Sequence, residues 1–330
     1  MGQGQPTKLT DKASSRPLPS TSTLEKLCGA RYTYKVSEVD DCIYPMDAMK
    51  ALGFVLVKNV FSEGELKEIA YTTDAMVEAC KEKSGGRPAF GNRGPDRQSA
   101  SGFYENIEAQ TAGGIIFRNI IMQCILENIL GENFVYGGTG VDVAFPGTVY
   151  QHLHSDDNCS YPYHHDQTDV RHRWWPPAMV LAGPLLNEWK NENGPMRIVP
   201  WTAMNASEYH KITRHGISYN EERAREFLTA FVEGERGDLL IRDPRALHAG
   251  CPNTTSDPRS MISIFAYSRE ANATYPDLYV KKPVPEHQQS LPRFRSLREE
   301  VNEWNFDDQT RRYGEMRTLS GEAPTDDMLM

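Results

Sequence analysis

Residues 145–156 read FPGTVYQHLHSD, and they carry the strongest signal in the chain for both architecture and chemistry. Side chains two positions apart on a β-strand lie on the same face, so a strand here places the His154 imidazole beside the Asp156 carboxylate. One histidine and one carboxylate on a common face are two members of a 2-His-1-carboxylate set, the donor arrangement of non-haem Fe(II) oxygenases. The third donor has to come from another part of the chain.

The best candidate for the third donor is His248. It follows a predicted strand at 238–241 and precedes the turn-like residues AGCPN. Arg259 comes shortly afterwards, where a further strand is predicted at 261–268. The planar guanidinium of an arginine that projects from this neighbouring strand is suited to bidentate binding of a carboxylate.

These motifs, in this order, resemble the phytanoyl-CoA dioxygenase-like (PhyH) family of Fe(II)/2-oxoglutarate-dependent oxygenases. The resemblance rests on PGT before QHLHSD, on NGPMRIVP at 193–200, and on the segment from His248 to Arg259. It spans about residues 50–270. It implies a double-stranded β-helix core (jelly-roll, cupin-like) and an enzyme that uses Fe(II), 2-oxoglutarate and O2.

The resemblance also implies roles for individual residues. His154, Asp156 and His248 would bind Fe(II) and form the catalytic centre. Arg259 would hold the distal carboxylate of 2-oxoglutarate. Gln151 matches a position that reaches the co-substrate in some fungal members, and because an ideal strand turns it away from His154, this role requires a bulge or bend.

Two features of the sequence bear on this assignment. Many family members have a serine two residues after the distal histidine, where this chain has Gly250, so another group must assist Arg259. A second histidine–aspartate pair, His164 and Asp166, follows soon after the first, but its Tyr-Pro-Tyr flank disfavours a central strand. We therefore predict that the pair beginning at His154 binds the metal.

Composition and charge exclude several classes of protein. The net charge of −9 and the lack of a basic run argue against nucleic-acid binding, which needs clustered Lys and Arg. No stretch approaches the roughly 18 consecutive apolar residues of a membrane helix, and no apolar run of a signal peptide is evident. The six cysteines are scattered without a CxxC pair, which favours reduced thiols and a cytoplasmic location. We expect a monomer or homodimer whose partner is a small-molecule substrate.

The chain is predicted to be mainly β with flanking helices (α+β). Residues 1–25 are polar and are expected to form a flexible tail. Residues 26–312 are expected to form a single oxygenase domain with core strands at about 134–270, followed by a polar tail at 313–330. The two histidine motifs must meet at one metal ion, so the residues between them belong to one core.

Several elements outside the core strands are predicted individually. A buried strand leads into Ser62 and Glu65, which have the spacing of a capping box at the start of a helix. Residues 84–101 are rich in Gly, Pro, Arg and Ser and predict a long loop. Apolar residues at helical spacing predict one helix over 111–130, with Gly131 at its end.

Three residues are candidates for contacts with the substrate. Arg93 and Arg97, in the predicted long loop, would bind an acidic group, and Trp175 would line the pocket. We expect oxidation of a C–H bond in a small natural-product metabolite, with a carboxylated, amino-acid-derived molecule as the narrower expectation. The reaction would be hydroxylation, desaturation or oxidative ring closure of the kainoid type, with release of succinate and CO2. The alternative is a cupin-like metal-dependent isomerase or hydrolase that does not use 2-oxoglutarate.

Overall fold

Strands outnumber helices in the part of the chain that the structure, a computed structural model, describes. That part comprises residues 19–28, 31–38, 43–83, 97–101, 110–131, 134–151, 153–154, 156, 177, 179–200, 202, 213–214, 218–219 and 229–268. The helices are α1 (Thr21–Cys28), α2 (Ile43–Leu52), α3 (Glu63–Lys83), α4 (Gln110–Phe117) and α5 (Ile120–Leu130), with a 3-10 turn at Val36–Glu38. The strands are β1 (Thr33–Lys35), β2 (Phe54–Lys58), β3 (Arg97–Ser101), β4 (Val135–Ala144), β5 (Met179–Pro184), β6 (Met196–Ile198), β7 (Thr213–Arg214), β8 (Ser218–Tyr219), β9 (Ala230–Phe231), β10 (Leu239–Arg242), β11 (His248–Gly250) and β12 (Arg259–Tyr267).

Seven strands form a mixed sheet in the order β1-β2-β10-β5-β12-β4-β3. Its neighbouring strands are antiparallel except for the parallel pair β1 and β2. The register of the last three strands places Ala144 of β4 opposite Arg259 of β12 on one side and opposite Arg97 of β3 on the other. Residues paired directly across a sheet project from the same face, so the two arginines share one face.

A smaller sheet has the order β11-β6-β9, and β7 and β8 form a separate antiparallel pair. Residues 147–151 and 153–154 run beside β11 and the residues that follow it, without forming a regular strand. The Gln151 N–H donates to the Gly250 carbonyl at 3.0 Å, and His154 and His248 exchange two backbone hydrogen bonds of 2.9 Å each. This pairing brings two distant parts of the sequence side by side.

Strand β2 shows how the two faces of the large sheet are used. Val55 and Val57 belong to a buried cluster with residues of α2, α3, α4 and α5. Phe54 and Leu56 belong to a second cluster, which includes Trp189 and residues of β6. Because alternate residues of a strand face opposite sides, helices cover one face of the large sheet and the smaller sheet covers the other.

The structure shows a mixed sheet with a few flanking helices, as predicted, and it confirms two of the local predictions. Ser62 and Glu65 form the capping box: the Ser62 N–H donates to Glu65 Oε2 at 2.8 Å, and the Glu65 N–H donates to Ser62 Oγ at 3.4 Å. Gly131 ends α5 with a φ of 91°, which favours glycine at this position.

Two predictions of local structure are wrong. The single helix predicted over 111–130 is divided into α4 and α5, because the Asn119 side chain accepts a hydrogen bond from the Met122 N–H at 3.0 Å and caps a new helix. The long loop predicted over 84–101 ends earlier, since residues 97–101 pair with β4 as strand β3. The rest of that predicted loop lies outside the described residues.

The end of the predicted N-terminal tail and one cysteine also depart from expectation. Helix α1 begins at the buried Thr21, so the last residues of the predicted tail at 1–25 are helical. The predicted tail at 313–330 lies outside the described residues. Cys124 is disulfide-bonded to a cysteine whose side chain is not described, so the expectation of reduced thiols is wrong there, whereas Cys251 is free. None of the described helices is long and apolar enough to cross a membrane.

Candidate metal centre

His154, Asp156 and His248 come together where Gln151 and His154 lie beside β11. One donor atom from each lies within 4.8 Å of the other two. His154 Nε2 is 3.4 Å from Asp156 Oδ1, and His248 Nε2 is 3.3 Å from Asp156 Oδ2. The backbone causes this convergence, because the two histidines are hydrogen-bonded to each other and the Asp156 N–H donates to the Pro244 carbonyl at 3.0 Å.

The tautomer of His248 is set by its second ring nitrogen. Nδ1 lies 2.9 Å from the Ala246 carbonyl oxygen, which can only accept a hydrogen bond, so Nδ1 carries the proton. Burial lowers the pKa of His248 to about 4, so the ring is neutral at pH 7. Nε2 therefore carries the lone pair that a metal ligand requires, and in this structure that lone pair accepts a hydrogen bond from Arg242, which a bound metal ion would replace.

Arg242, the last residue of β10, is a site residue that sequence reasoning missed. Its buried guanidinium donates to Asp156 Oδ2 at 2.6 Å and to His248 Nε2 at 3.1 Å. Burial by itself raises the pKa of the Asp156 carboxyl. The positive charges of Arg242 and of His248, which is protonated at the acidic pH where a carboxyl titrates, outweigh burial and hold the pKa of Asp156 well below its usual range. The sequence did contain one signal for Arg242, because it is a charged residue at the end of an apolar strand that shortly precedes His248.

The three donors fit Fe(II). Two imidazole nitrogens and one carboxylate oxygen form a 2-His-1-carboxylate set, which leaves coordination positions for a co-substrate and O2. The side chains of His154 and Asp156 are 20% and 26% exposed, whereas that of His248 is 5% exposed. The site is therefore accessible from the side of His154 and Asp156 and closed behind His248.

Arg259 lies at the start of β12, on the face of the large sheet that packs against the smaller one. Its Nε donates to the Gly194 carbonyl at 2.7 Å, Nη2 donates to the same oxygen, and the guanidinium lies 4.9 Å from the centre of the Trp189 ring. Nη1 is buried and has no hydrogen-bond partner among the described residues. Burial lowers the pKa of Arg259 to about 10, so it is still a cation at neutral pH. A buried cation with an unused donor fits a carboxylate ligand such as that of 2-oxoglutarate.

Arg97 lies in strand β3 and not in a surface loop. Its side chain is buried, with Nη2 donating to the Cys251 carbonyl at 2.9 Å and Nη1 3.7 Å from Asp142 Oδ2. It therefore lies inside the protein near Arg259, and its predicted contact with the substrate remains a prediction.

Gln151 lies against the strand that carries the distal histidine. Its Oε1 accepts a hydrogen bond from the Gly250 N–H at 3.0 Å, and its carbonyl accepts one from Arg197 at 2.8 Å. The side-chain oxygen thus contacts the backbone two residues beyond His248. The predicted role of Gln151 in binding the co-substrate stays a prediction.

Several candidate residues lie outside the described part of the chain. They are the substrate candidates Arg93 and Trp175 and the second histidine–aspartate pair, His164 and Asp166. Among the described residues, the donors that could hold a metal ion are His154, Asp156 and His248.

Solved structures with a similar fold provide a comparison. SnoK, a non-haem α-ketoglutarate-dependent carbocyclase from nogalamycin biosynthesis, is 17% identical, with a TM-score of 0.50 over 67% of this chain and 82% of that one. SnoN, a non-haem α-ketoglutarate-dependent epimerase also from nogalamycin biosynthesis, is 15% identical, with a TM-score of 0.48 over 67% and 80%. AviO1 from Streptomyces viridochromogenes Tue57 is 12% identical, with a TM-score of 0.47 over 73% and 96%. No curated protein matches the chain.

Two histidines and a carboxylate, with a buried arginine nearby, are the parts of a 2-oxoglutarate-dependent non-haem iron enzyme. The profile of the phytanoyl-CoA dioxygenase (PhyH) family matches residues 49–261, more than half of the chain. The chain belongs to this family, as its motifs predicted, and it is an Fe(II)/2-oxoglutarate-dependent oxygenase. Its cofactor and co-substrates are Fe(II), 2-oxoglutarate and O2.

Proposed function

We propose that this oxygenase oxidises a C–H bond of a small metabolite and couples the oxidation to conversion of 2-oxoglutarate and O2 into succinate and CO2. In hydroxylation, one oxygen atom enters the substrate as a hydroxyl group and the other enters succinate. In desaturation or oxidative ring closure, including a kainoid-type cyclisation, the substrate loses two hydrogen atoms and one oxygen atom leaves as water. The proposed substrate is a carboxylated, amino-acid-derived molecule of a natural-product pathway.

The proposal is carried by the juxtaposition of the three donors with a buried arginine. The donor atoms of His154, Asp156 and His248 lie within 4.8 Å of one another, so one ion can contact all three. Arg259 supplies a buried donor, Nη1, without a hydrogen-bond partner among the described residues. In the proposed arrangement, 2-oxoglutarate extends from the metal to this guanidinium, with Gln151 beside it.

The chain holds its donors in place before any ligand arrives. Ala246 fixes the ring of His248, and Arg242 fixes one oxygen of Asp156. Leu153 and Leu247, each adjacent to one of the histidines, belong to a small buried apolar cluster that anchors both backbones. Such support limits the reorganisation that binding requires. Bound Fe(II), with 2-oxoglutarate and O2, supplies the oxidant for C–H cleavage.

Two other reactions fit the site less well. A cupin-like isomerase or hydrolase would use the same donors, but it gives no role to the buried donor of Arg259. Halogenation is disfavoured because Asp156 provides a carboxylate where related halogenases lack one. SnoK, which has a similar fold, is a carbocyclase, and this similarity supports ring closure as one of the proposed reactions.

The proposal extends to the fold, the oligomeric state and the location of the enzyme. We propose that the two facing sheets form a double-stranded β-helix and that residues 26–312 form one domain. We also propose a monomer or homodimer that acts on a small molecule, without nucleic-acid or membrane partners. A cytoplasmic location stays a prediction, and the disulfide bond at Cys124 counts against a reducing compartment.

Anaerobic titration with Fe(II) and 2-oxoglutarate tests the proposal. The wild type should show the weak visible metal-to-ligand charge-transfer band, and His248→Ala should lose it. Arg236→Gln is the matched control, because Arg236 pairs with Glu63 on the surface and should leave the band intact. No band in the wild type, or a band that persists in His248→Ala, would rule out the assignment.

A second measurement addresses the reaction itself. In air, candidate amino-acid-derived acids should stimulate formation of succinate together with an oxidised product. Product formation without consumption of 2-oxoglutarate would instead support the isomerase or hydrolase.

A further inference from the structure

We propose that Arg242 binds a carboxylate beside the metal centre through Nη1, the donor that metal binding frees from His248. This inference rests on the proposed function. The ligand is an organic acid, and its carboxylate belongs either to the metal-binding end of 2-oxoglutarate or to the substrate. Arg242 thereby has a contact with a ligand in addition to its contact with Asp156.

Strand β10 directs Arg242 into the space between the two facing sheets. Leu239 and Ile241 belong to the buried cluster on the helical face, whereas Leu240 belongs to the cluster that faces the smaller sheet. Because alternate residues of a strand face opposite sides, Arg242 shares the face of Leu240. Its side chain is only 5% exposed. The guanidinium is therefore a cation inside the protein, and solvent screens its attraction for an anion only weakly.

The contacts of Arg242 show which of its donors becomes free. In this structure Nη1 lies 3.1 Å from His248 Nε2, and Nη2 donates to Asp156 Oδ2 at 2.6 Å. Nη1 makes no other hydrogen bond with the described residues. A metal ion that takes the Nε2 lone pair removes the first contact, whereas the second can persist because Asp156 has its other oxygen for the metal. A buried N–H without an acceptor costs free energy, so Nη1 then requires an acceptor from a ligand.

The charges at the metal centre favour an anion as this acceptor. Both histidines bind a metal ion in their neutral form, so Asp156 supplies the one negative charge among the three donors. This charge is opposed by the double charge of Fe(II) and by the guanidinium of Arg242. A carboxylate reduces the excess positive charge, and its hydrogen bond with a guanidinium is stronger than one between neutral groups.

The sheet places an apolar surface beside this cation. Leu181 of β5 pairs with Arg242 on one side and with Phe265 of β12 on the other, so the three side chains share one face. Phe265 is partly exposed, and a Cβ at Gly140 would lie 3.9 Å from its Cε2. The backbones of Arg242 and Phe265 are two strand spacings apart, about 10 Å, which one small molecule can span. An organic acid with an apolar portion fits this pair of contacts.

Arg242→Met tests the proposal first with two 2-oxo acids as probes. One is 2-oxoglutarate, and the other is 2-oxopentanoate, which keeps the metal-binding end and lacks the distal carboxylate. The enzyme is saturated with Fe(II) under anaerobic conditions, and binding is followed by the charge-transfer band. If Arg242 binds the metal-binding end, Arg242→Met weakens both acids about 10- to 100-fold, the range for a lost hydrogen bond to a charged group. Arg259→Gln should weaken 2-oxoglutarate alone.

A second titration tests a carboxylate of the substrate. Enzyme that already holds Fe(II) and 2-oxoglutarate is titrated with hexanoate and with the neutral hexanamide, and binding is followed by calorimetry. If Arg242 binds a carboxylate of the substrate, the wild type prefers hexanoate and Arg242→Met loses that preference. Arg236→Gln, which removes a cation outside the site, should match the wild type in both titrations.

Nitric oxide separates a contact with the ligand from an effect on the metal donors, because it binds Fe(II) without a carboxylate. Its affinity for the Fe(II)-saturated enzyme should be equal in wild type and Arg242→Met. A loss for the 2-oxo acids or for hexanoate supports the proposal and identifies the source of the carboxylate. No loss in either titration, or an equal loss for nitric oxide, would overturn it. If the wild type with Fe(II) bound neither 2-oxo acid, the proposed function would fail first.

Discussion

Gly194→Ala should destabilise the enzyme and also weaken 2-oxoglutarate binding. Gly194 has a φ of 76°, a left-handed conformation that costs a residue with a side chain about 1–2 kcal/mol. A Cβ there would lie 3.1 Å from Asn253 Cβ and 3.2 Å from Ala144 Cβ, closer than ordinary contact, and such overpacking costs about 1–3 kcal/mol. The smaller freedom of alanine in the unfolded chain offsets about 0.4–1 kcal/mol. The expected net loss in the free energy of unfolding is about 1–5 kcal/mol.

The same substitution should weaken 2-oxoglutarate binding because the Gly194 carbonyl positions the guanidinium of Arg259. That oxygen accepts hydrogen bonds from Nε and Nη2 of Arg259, so a shift of the turn moves the guanidinium. Urea unfolding followed by tryptophan fluorescence measures the stability, and anaerobic titration of the Fe(II) enzyme measures the affinity for 2-oxoglutarate.

A glycine in an open position provides the control for this experiment. Gly114 lies inside α4 with nothing within 4 Å of an added Cβ, so Gly114→Ala should stabilise by about 0.5–1 kcal/mol through helix propensity alone. A destabilisation of Gly194→Ala below about 1 kcal/mol would refute the packing argument. Unchanged affinity for 2-oxoglutarate in a folded variant would refute the role of the carbonyl.

Two further predictions concern single side chains of the site. Arg242→Met should weaken Mn(II) binding about 10- to 100-fold, measured by electron paramagnetic resonance, because Asp156 loses the donor that orients it; wild-type affinity would contradict this. Burial raises the pKa of Cys251 to about 11, so the thiol is protonated at pH 8 and iodoacetamide should label it in urea but not in the native enzyme. Mass spectrometry identifies the labelled cysteine, and rapid native labelling would show that the thiol is accessible or ionised.

The metal donors were predictable because residue type and order are enough to suggest them. His154 and Asp156 are close in sequence, and a backbone pairing with the chain around His248 completes the group. The capping box at Ser62 was equally accessible, since all of its atoms come from one turn. The capping box depends on local spacing, and the metal donors come from motifs that have to meet at one metal ion.

Arg97 and Arg242 were misplaced or missed because their roles depend on contacts between distant segments. The residues of β3, RQSAS, show no alternation of apolar and polar side chains, and only pairing with β4 makes them a strand. Arg242 ends the apolar run LLIR, and its partner Asp156 is on another segment. Strand register and the pairing of buried charges are properties of the assembled sheets, so a single sequence predicts them poorly.

The net charge of −9 likewise gives little information about this site. Charges on the surface act through solvent, where physiological salt screens them within about 8 Å. The guanidinium of Arg259 is buried, so its proposed interaction with the distal carboxylate of 2-oxoglutarate is screened much less. An acidic protein can therefore bind a dianionic co-substrate, because the affinity depends on the few cations in contact with it and not on the total charge.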